Sequence, residues 1–460
     1  MKTLPILLGI SLFAAGCNPF ANNSSEQNTP PAQPETAQPE TAQPADAITA
    51  PTEPKAPAAE PEKPAAEPEK PAAEPEKPAA EPAPEPANAP QPAEVKEDPG
   101  QVIESAQKLQ QEGQYDEALR LLLNAQFKSG ALQELENAYQ EAIRNHPQLN
   151  AQPKQLIPGQ DLTGMKRLGG GSSLVYKFTK DKQTIAAFKP FQKRFQSNYR
   201  SEIAAYRLCP VMKCAFDIPV NVPIYFDYKD FSSLYGRNAA NPKEEFAEII
   251  PTHLPGDIHR VEGTFKEWIP EFADFPIEFS FIWKPWLNPG TDKSELAKPV
   301  SDLLPQIAKK HKGGDKFAAK LAPHVQNLSQ YDLARQISNL LVFDFLINNW
   351  DRFSGSPSLF GVNCQIAHGR FMSIDNGAGF AKTPNSKPEK HLHEITRFSR
   401  LTYTAISNFQ KEPLLNYLFP DATDFEKEKF ETFWQQRQKY LDYVKKCIND
   451  NGEAETFFFE

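Results

Sequence analysis

The sequence has no excess of basic residues. Its 460 residues include 50 Lys and Arg against 59 Asp and Glu, which gives a net charge of −9 and a pI near 5.6. Proteins that bind nucleic acids carry basic patches, and no basic stripe with interleaved aromatic residues occurs in this chain. We therefore expect no nucleic-acid partner.

The N-terminal apolar run is too short to span a bilayer. Leu4–Phe13 contains 10 residues, whereas a membrane-spanning helix needs about 20. Lys2 precedes this run and the small residues Ala14-Ala15-Gly16 follow it, which is typical of a cleaved export signal. We predict that residues 1–16 are a signal rather than part of the fold.

Cys17 directly follows the predicted signal. The segment resembles a bacterial lipoprotein lipobox, although Ala14 stands where Leu is usual. The resemblance implies cleavage before Cys17, acylation of Cys17 and a lipid anchor at the cell envelope. Asn18 then favours the outer membrane. The alternative is an ordinary cleaved signal followed by an incidental cysteine.

Residues 17–99 are rich in Pro, Ala and Glu. The seven-residue repeat that begins at Pro57 recurs at Pro64 and Pro71 and contains no large apolar side chain. Proline disfavours helix, and such tracts prefer the extended polyproline II conformation. We predict a disordered, semi-rigid tether between the lipid and the folded protein.

Cysteine is scarce, with five residues in the chain. If Cys17 is acylated, four thiols remain in a compartment that permits disulfides. Cys209 and Cys214 are close enough in sequence to pair across a loop. Our hypothesis pairs the remaining two, Cys364 and Cys447.

Residues 100–150 are predicted to form a helical hairpin. Apolar residues from Ile103 onward follow helical spacing, which breaks at Glu112–Tyr115, and a second unit runs over Leu132–Ile143. The turn resembles that of a tetratricopeptide repeat. Because the segment is too short for a stacked array, a packing or spacer role is favoured over peptide binding.

Residues 155–460 are predicted to form the main folded domain. Nearly all of the 32 Phe residues lie after residue 125, enough to build a large core. His391 and His393 are expected on one face of a strand, where two imidazoles without a third ligand do not predict a metal site. Leu174–Phe178 and Thr184–Lys189 are further predicted strands. Residues 221–300 are predicted to form strands and loops rich in aromatic residues, in Pro223–Phe226, Phe246–Ile250 and Phe279–Trp286. The predicted helices are one that opens at Ser329 and one over Asp424–Ile448.

A glycine-rich turn precedes the first two strands of this domain. In Gly169-Gly170-Gly171, the missing Cβ atoms allow backbone N–H groups to approach phosphates, although a plain flexible hairpin explains the turn equally well. Lys189 ends the second strand between apolar neighbours, so its buried ammonium needs a partner. Glu202, 13 residues later on a short predicted helix, is the candidate.

Two carboxylates lie 24 residues apart, each after an apolar segment. Asp351 follows a helical run, and Asp375 follows a strand-like one. A carboxylate at the end of a packed element is held rigidly, which suits metal binding and the positioning of a hydroxyl. The alternatives are a solvated Asp351 and a tight hairpin turn at Asp375-Asn376-Gly377. The glycine turn, Lys189, Glu202 and the two aspartates follow one another along the chain in the order found in a kinase-type phosphoryl-transfer site.

These motifs resemble a known family. Phe188-Lys189-Pro190, Glu202–Ala205, Asp344–Arg352 and Asp375-Asn376-Gly377 are similar to the atypical kinases of the secretory pathway, the Golgi casein kinase and Four-jointed group, and more distantly to the HipA and CotH kinases. The similarity covers roughly residues 162–380. It implies an α+β, bilobal protein-kinase-like fold that uses ATP and manganese or magnesium.

The resemblance also implies roles for single residues. Lys189 and Glu202 would lie at the nucleotide, together with the glycine turn Gly169-Gly170-Gly171. Asp351 would be the catalytic aspartate. Asp375 would bind the metal with help from Glu202.

The chain departs from the family pattern at two positions. Phe353 stands where the family usually has His after the Asp-Arg pair, and Ser356 stands where kinases have a metal-binding Asn. A hydroxyl is a poorer metal ligand than an amide oxygen, so a second metal ion would be held weakly.

We therefore expect an exported, lipid-anchored kinase-like protein. It would transfer the γ-phosphoryl group of ATP to a hydroxyl of a secreted or envelope protein or glycan. ATP is expected to be scarce outside the cytoplasm, which keeps two alternatives open: an inactive pseudokinase that binds a ligand or partner, and an enzyme that transfers AMP.

Overall fold

A computed structural model describes seven stretches of the chain, residues 98–130, 132–169, 173–194, 197–238, 245–353, 361 and 363–459. They belong to one compact unit, Ala89–Glu460. Residues 1–97, which include Cys17 and all but the last two residues of the predicted tether, lie outside the described residues, as do Gly170, Gly171 and Ser356. Among the helices described, none has the length and apolar character needed to cross a membrane.

Three helices open the described part of the chain, α1 (Pro99–Gln111), α2 (Tyr115–Ser129) and α3 (Gln133–Asn145). Asp98 caps α1 by accepting a hydrogen bond from the Gly100 N–H at 3.1 Å. Gly113 (φ 79°) and Gly130 (φ 78°) are left-handed where α1 and α2 end. The predicted hairpin is therefore a three-helix unit, since Gly130 separates α2 from a third helix.

Seven strands form the first sheet: β1 (Lys154–Gln155), β2 (Gly164–Arg167), β3 (Tyr176–Lys180), β4 (Gln183–Pro190), β5 (Asn221–Asp227), β6 (Thr252–Leu254) and β7 (Ile258–Glu267). Their order is β1-β5-β7-β4-β3-β2, and β6 also pairs with β7. β3 and β4 form the predicted hairpin, with the left-handed Asp181 (φ 49°) and Lys182 (φ 68°) at its turn.

Aromatic side chains fix the position of β4. α4 (Tyr199–Met212) follows β4, and α5 (Tyr228–Asn238) follows β5. Phe188 on β4 stacks on Phe178 at 5.0 Å between ring centroids and meets Phe226 and Phe231 edge-on. Lys189 follows Phe188 directly in β4. This aromatic packing therefore fixes the backbone position from which the Lys189 side chain extends.

A second sheet, ten more α-helices and the short 3-10 helices Val300–Leu303 and Asn376–Ala378 follow in the described structure. The sheet has the order β10-β9-β8 and consists of β8 (Ala273–Asp274), β9 (Cys364–Ala367) and β10 (Arg370–Ser373). The helices are α6 (Ser280–Trp283), α7 (Lys293–Leu296), α8 (Leu304–Lys310), α9 (Gly314–Val325), α10 (Gln330–Leu346), α11 (Ser386–Leu392), α12 (Arg400–Ser407), α13 (Lys411–Leu418), α14 (Asp424–Asn451) and α15 (Glu453–Thr456).

The buried residues form two hydrophobic cores. One lies within the first sheet and α5, and the other joins α1–α4 with the second sheet and most of the later helices. This division gives the α+β, two-lobed fold predicted from the sequence. α10 begins where predicted, because the Ser329 hydroxyl accepts a hydrogen bond from the Asp332 N–H at 3.0 Å.

For three segments the sequence predicts a strand, or a mixture of strand and loop, and the structure has no regular strand. Phe246–Ile250 makes only an isolated bridge, between Ile249 and Gln192. Phe279–Trp286 contains the short helix α6, where the fully buried Trp283 donates from Nε1 to the Ile277 carbonyl at 2.8 Å. His391 lies in α11, which Asn385 caps. In each case tertiary packing or a cap overrides the strand preference of the aromatic and β-branched residues.

One of the two predicted disulfides is present. Cys209 and Cys214 are bonded, with Cα atoms 5.2 Å apart. Cys364 and Cys447 are free and buried, so their predicted pairing is wrong. The sequence pairs Cys364 with Cys447 only because they are the two cysteines that remain, and it gives no distance between them. In the structure Cys364 lies in β9 and Cys447 in α14.

Gly263 on β7 allows the close approach of β4. A Cβ added there would overlap the Lys189 carbonyl oxygen and lie 2.5 Å from the Phe188 ring. We expect Gly263→Ala to lower the free energy of unfolding by about 1–3 kcal/mol, because overpacking shifts the strand. Urea denaturation measures this change.

Gly236 in α5 is the matched control. It is exposed, and an added Cβ there would meet nothing within 4 Å. Gly236→Ala is expected to stabilise the fold by up to about 1 kcal/mol, because alanine favours helix. Equal effects of the two substitutions would contradict the close approach at Gly263.

Candidate active site

Lys189 and Glu202 form a buried ion pair. Lys189 lies near the end of β4 and Glu202 in the first turn of α4, where Asn198 caps the helix. Their side chains are 1% and 0% exposed, and Nζ lies 2.6 Å from Oε1. The structure thus brings together the lysine and glutamate that were paired from sequence.

Asp375 completes this cluster from the other lobe. It follows β10 in a left-handed conformation (φ 54°), and its carboxylate contacts the Lys189 ammonium directly. Asn376–Ala378 then form a 3-10 turn, so Asp375-Asn376-Gly377 is not the turn of a tight hairpin. Gly377 is needed for proximity, because an added Cβ would lie 3.0 Å from Lys189 Nζ and 3.2 Å from Glu202 Oε1.

Lys266 is a further member of the cluster. It lies on β7 and donates to Glu202 Oε2 at 3.1 Å, where the Asn376 N–H also donates at 3.0 Å. Both Glu202 oxygens are therefore engaged, and the role of Glu202 as a metal ligand stays a prediction. The sequence alone does not single out Lys266, because no motif surrounds it and only strand pairing places it beside α4.

The charges in this cluster stabilise one another. Burial by itself would lower the pKa of Lys189, but the carboxylates of Asp375 and Glu202 raise it above its ordinary value. Burial would raise the pKa of Asp375, and Lys189 and Lys266 instead hold it below the usual range of a carboxyl. Lys189 and Asp375 are therefore both charged at neutral pH.

Asp351 lies within electrostatic reach of Asp375. Burial raises the pKa of Asp351, and the negative charge of Asp375 raises it further. The side-chain amide of Asn363 donates to the Asp351 carbonyl at 2.8 Å and to Oδ2 at 3.3 Å. Asn363 is 12 residues from Asp351 in sequence, and only the fold brings them together.

Arg352 joins the two segments that carry the aspartates. It is 2% exposed and contacts Asp344 of α10 through Nε at 2.9 Å and Nη2 at 3.1 Å. Nη2 also donates to Asn376 Oδ1 at 2.7 Å, and Nη1 donates to the Ile374 carbonyl at 2.9 Å. The planar guanidinium therefore fixes the turn of Asp375 relative to the end of α10.

The remaining predicted positions are only partly within the described residues. Gly169 is described, in a segment without regular structure, whereas Gly170 and Gly171 are not. Phe353 stacks on His391 with ring centroids 3.8 Å apart. Among the described residues, no cluster of three His, Cys, Asp or Glu side chains forms a ready metal site.

Removing Arg352 should destabilise the fold strongly. We expect Arg352→Ala to cost about 3–5 kcal/mol in the free energy of unfolding, because the Asp344 carboxylate would stay buried without its partner. The double variant Arg352→Met with Asp344→Leu should recover part of this loss. Urea denaturation provides the measurement.

Lys427→Ala is the control for this experiment, since the Lys427–Asp424 pair is 56% and 97% exposed. Its effect should stay within about 0.5 kcal/mol. A loss below about 1 kcal/mol for Arg352→Ala would contradict the role of this network.

Comparisons with known proteins give similarity to solved structures only. No family model and no curated protein matches the sequence. The crystal structure of the Golgi casein kinase with Mn/ADP bound is 15% identical, with a TM-score of 0.38, and the match covers 70% of this chain and 78% of that chain. A second crystal structure of the Golgi casein kinase is 14% identical, with a TM-score of 0.39, and covers 70% and 79%.

Proposed function

We propose that this protein transfers the γ-phosphoryl group of ATP to a hydroxyl group of a protein or glycan. The observation that carries the proposal is the contact of the buried Lys189 ammonium with both Glu202 and Asp375. These residues come from β4, α4 and the turn after β10, so three separate parts of the fold converge on one ammonium. Asp351 lies within electrostatic reach of Asp375.

The chain's own groups suit each part of this chemistry. Lys189 is a fixed positive charge for the phosphates, and Glu202 orients it. Asp351 accepts the proton of the acceptor hydroxyl. The oxygen of that hydroxyl forms a bond to the γ-phosphorus while the bond between the γ-phosphorus and the ADP oxygen breaks. The raised pKa of Asp351 suits a general base, because proton transfer is most effective when the pKa approaches the working pH.

Asp375 fits a divalent cation such as Mn²⁺ or Mg²⁺. Its side chain is 38% exposed, and no described residue donates a hydrogen bond to Oδ2. Hard cations prefer such carboxylate oxygens. When bound, the cation neutralises charge on the phosphates. Asn363 Oδ1 also accepts no hydrogen bond from a described residue and is a candidate second metal ligand. It would supply the amide oxygen that kinases have at the position of Ser356.

The location of the protein stays a proposal of the sequence. An export signal over residues 1–16, acylation of Cys17 and a tether over residues 17–99 would hold the site at the cell envelope. The substrate would then be a secreted or envelope protein or glycan.

Nucleotide binding and phosphoryl transfer test the proposal. Thermal unfolding of the purified chain should shift upward with ATP and Mn²⁺ or Mg²⁺, and label from γ-labelled ATP should pass to envelope acceptors. Asp351→Ala should lower transfer at least about 100-fold and keep the thermal shift, because the general base is lost. Asp375→Ala should lose both.

Asp424→Ala is the control, because Asp424 is 97% exposed at the start of α14. It should leave both readouts unchanged. The proposal fails if the melting temperature does not rise either with ATP and Mn²⁺ or with ATP and Mg²⁺. In that case the protein is the inactive pseudokinase that binds a ligand or partner. Full transfer by Asp351→Ala would refute the assignment of the base.

Asn363 should act on the orientation of Asp351. We expect Asn363→Ala to lower kcat by about 10- to 100-fold with a small change in KM for ATP, since a misplaced base loses rate rather than binding. If Asn363→Ala also binds Mn²⁺ more weakly than the parent chain, measured without nucleotide by electron paramagnetic resonance, Asn363 is a metal ligand as well. The exposed Asn137→Ala is the control, and equal kcat values would contradict the positioning role.

A further inference from the structure

The segment that carries Asp351 consists of turns and bends over residues 350–353, called the Asp351 segment below. Among the described residues, none of its backbone N–H groups or carbonyls pairs with another backbone group. The Asp351 N–H instead donates to Asn349 Oδ1 at 3.2 Å, and the Asp351 carbonyl accepts from Asn363. Side chains must therefore satisfy and position this backbone.

Lys387 of α11 binds the Asp351 segment on both sides of Asp351. Its ammonium donates to the Phe353 carbonyl at 3.0 Å and to the Trp350 carbonyl at 3.4 Å. An ammonium has three donors, so one group can bind two carbonyls at once. Burial raises the pKa of Asp351, and the positive charge of Lys387 acts in the opposite direction. Lys387 is thus close to the carboxylate as well as to the backbone around it.

The start of α11 is itself fixed to the end of α10. Asn348 is buried and left-handed (φ 55°), and its side-chain amide donates to the carbonyls of Ala381 and Thr383 at 3.1 and 2.7 Å. Asn348 Oδ1 accepts from the N–H of Asn385 at 2.8 Å, and Asn385 caps α11. The helical turn that carries Lys387 therefore has a defined position beside the Asp351 segment.

A second side chain of α11 contacts the same segment. His391 lies four residues after Lys387, so the two side chains are neighbours on one face of the helix. The His391 ring stacks on the Phe353 ring, with centroids 3.8 Å apart. Phe353 is thus held by α11 both at its carbonyl and at its ring.

We propose that Lys387 is a positioning residue for Asp351. The proposal rests on the proposed function, in which Asp351 is the general base. By binding the carbonyls of Trp350 and Phe353, Lys387 keeps the Asp351 segment in one conformation and the Asp351 carboxylate at the acceptor hydroxyl. Without this ammonium the segment samples other conformations, and the base is out of place for part of the time.

The effect of Lys387 on the whole fold is small. Its side chain is exposed, and exposed charged groups contribute little to global stability. Substitutions at Lys387 should therefore leave the protein folded. A change in the Asp351 segment can then be measured separately from unfolding.

Hydrogen–deuterium exchange without nucleotide or metal tests the contact with the backbone. Lys387→Met keeps an aliphatic stem and removes the donors. A peptide that contains residues 350–353 should then exchange at least about threefold faster, because local opening becomes easier. Lys387→Arg should exchange like the parent chain, since a guanidinium can also donate to two carbonyls. Unchanged exchange in Lys387→Met would overturn the proposal.

Lys390→Met is the matched control, because Lys390 is an exposed lysine of the same helix. It should leave exchange of the Asp351 segment as in the parent chain. Exchange that is equally fast in Lys390→Met and Lys387→Met would contradict a specific contact of Lys387.

Steady-state kinetics with γ-labelled ATP test the effect on transfer. Lys387→Met should lower kcat about tenfold and change KM for ATP less than about twofold, because a misplaced base loses rate rather than nucleotide binding. Lys387→Arg should restore kcat to within about threefold of the parent chain, and Lys390→Met should match the parent chain.

The two measurements separate this proposal from the proposed function. Transfer by the parent chain with an equal kcat in Lys387→Met, or no recovery in Lys387→Arg, would refute the positioning role alone. A parent chain without transfer would refute the proposed function and, with it, the role of Lys387 in transfer. The exchange rates would still show whether Lys387 holds the Asp351 segment.

Discussion

The buried ammonium of Lys189 is the interaction on which the rest of this structure depends. Moving a charge out of water costs several kcal/mol, and the cost is offset only by close partners of opposite sign. Glu202 and Asp375 supply these partners from α4 and from the turn after β10. The first sheet, α4 and the second sheet must therefore meet at one point, and the two lobes are held in register by it.

Backbone proximity makes this meeting possible. Gly263 lets β7 lie against the carbonyl of Lys189, and Gly377 lets the 3-10 turn approach the ammonium. Lys266 then balances the second carboxylate, and Arg352 holds the turn to α10. Each of these residues acts on geometry, so the cluster is positioned before any ligand arrives. Such prior positioning is what phosphoryl transfer requires of a protein.

The N-terminal helices extend this arrangement instead of forming a separate spacer. Tyr139 of α3 donates to the Pro210 carbonyl at 2.9 Å, and Arg207 of α4 donates to the Leu149 carbonyl at 3.0 Å. These contacts hold α3 and the segment that follows it against α4.

The sequence by itself determined the α+β class, the β3–β4 hairpin, the cap at Ser329 and the pairing of Lys189 with Glu202, because local spacing, turn residues and burial patterns are written in neighbouring positions. It could not reveal Lys266 or Asn363, which reach the site from distant segments without a motif of their own. It also misassigned Phe279–Trp286 and paired Cys364 with Cys447, since local preference and cysteine count carry no distances. Only the tertiary structure decided which side chains share a buried charge, because that depends on strand order and on how the two lobes pack.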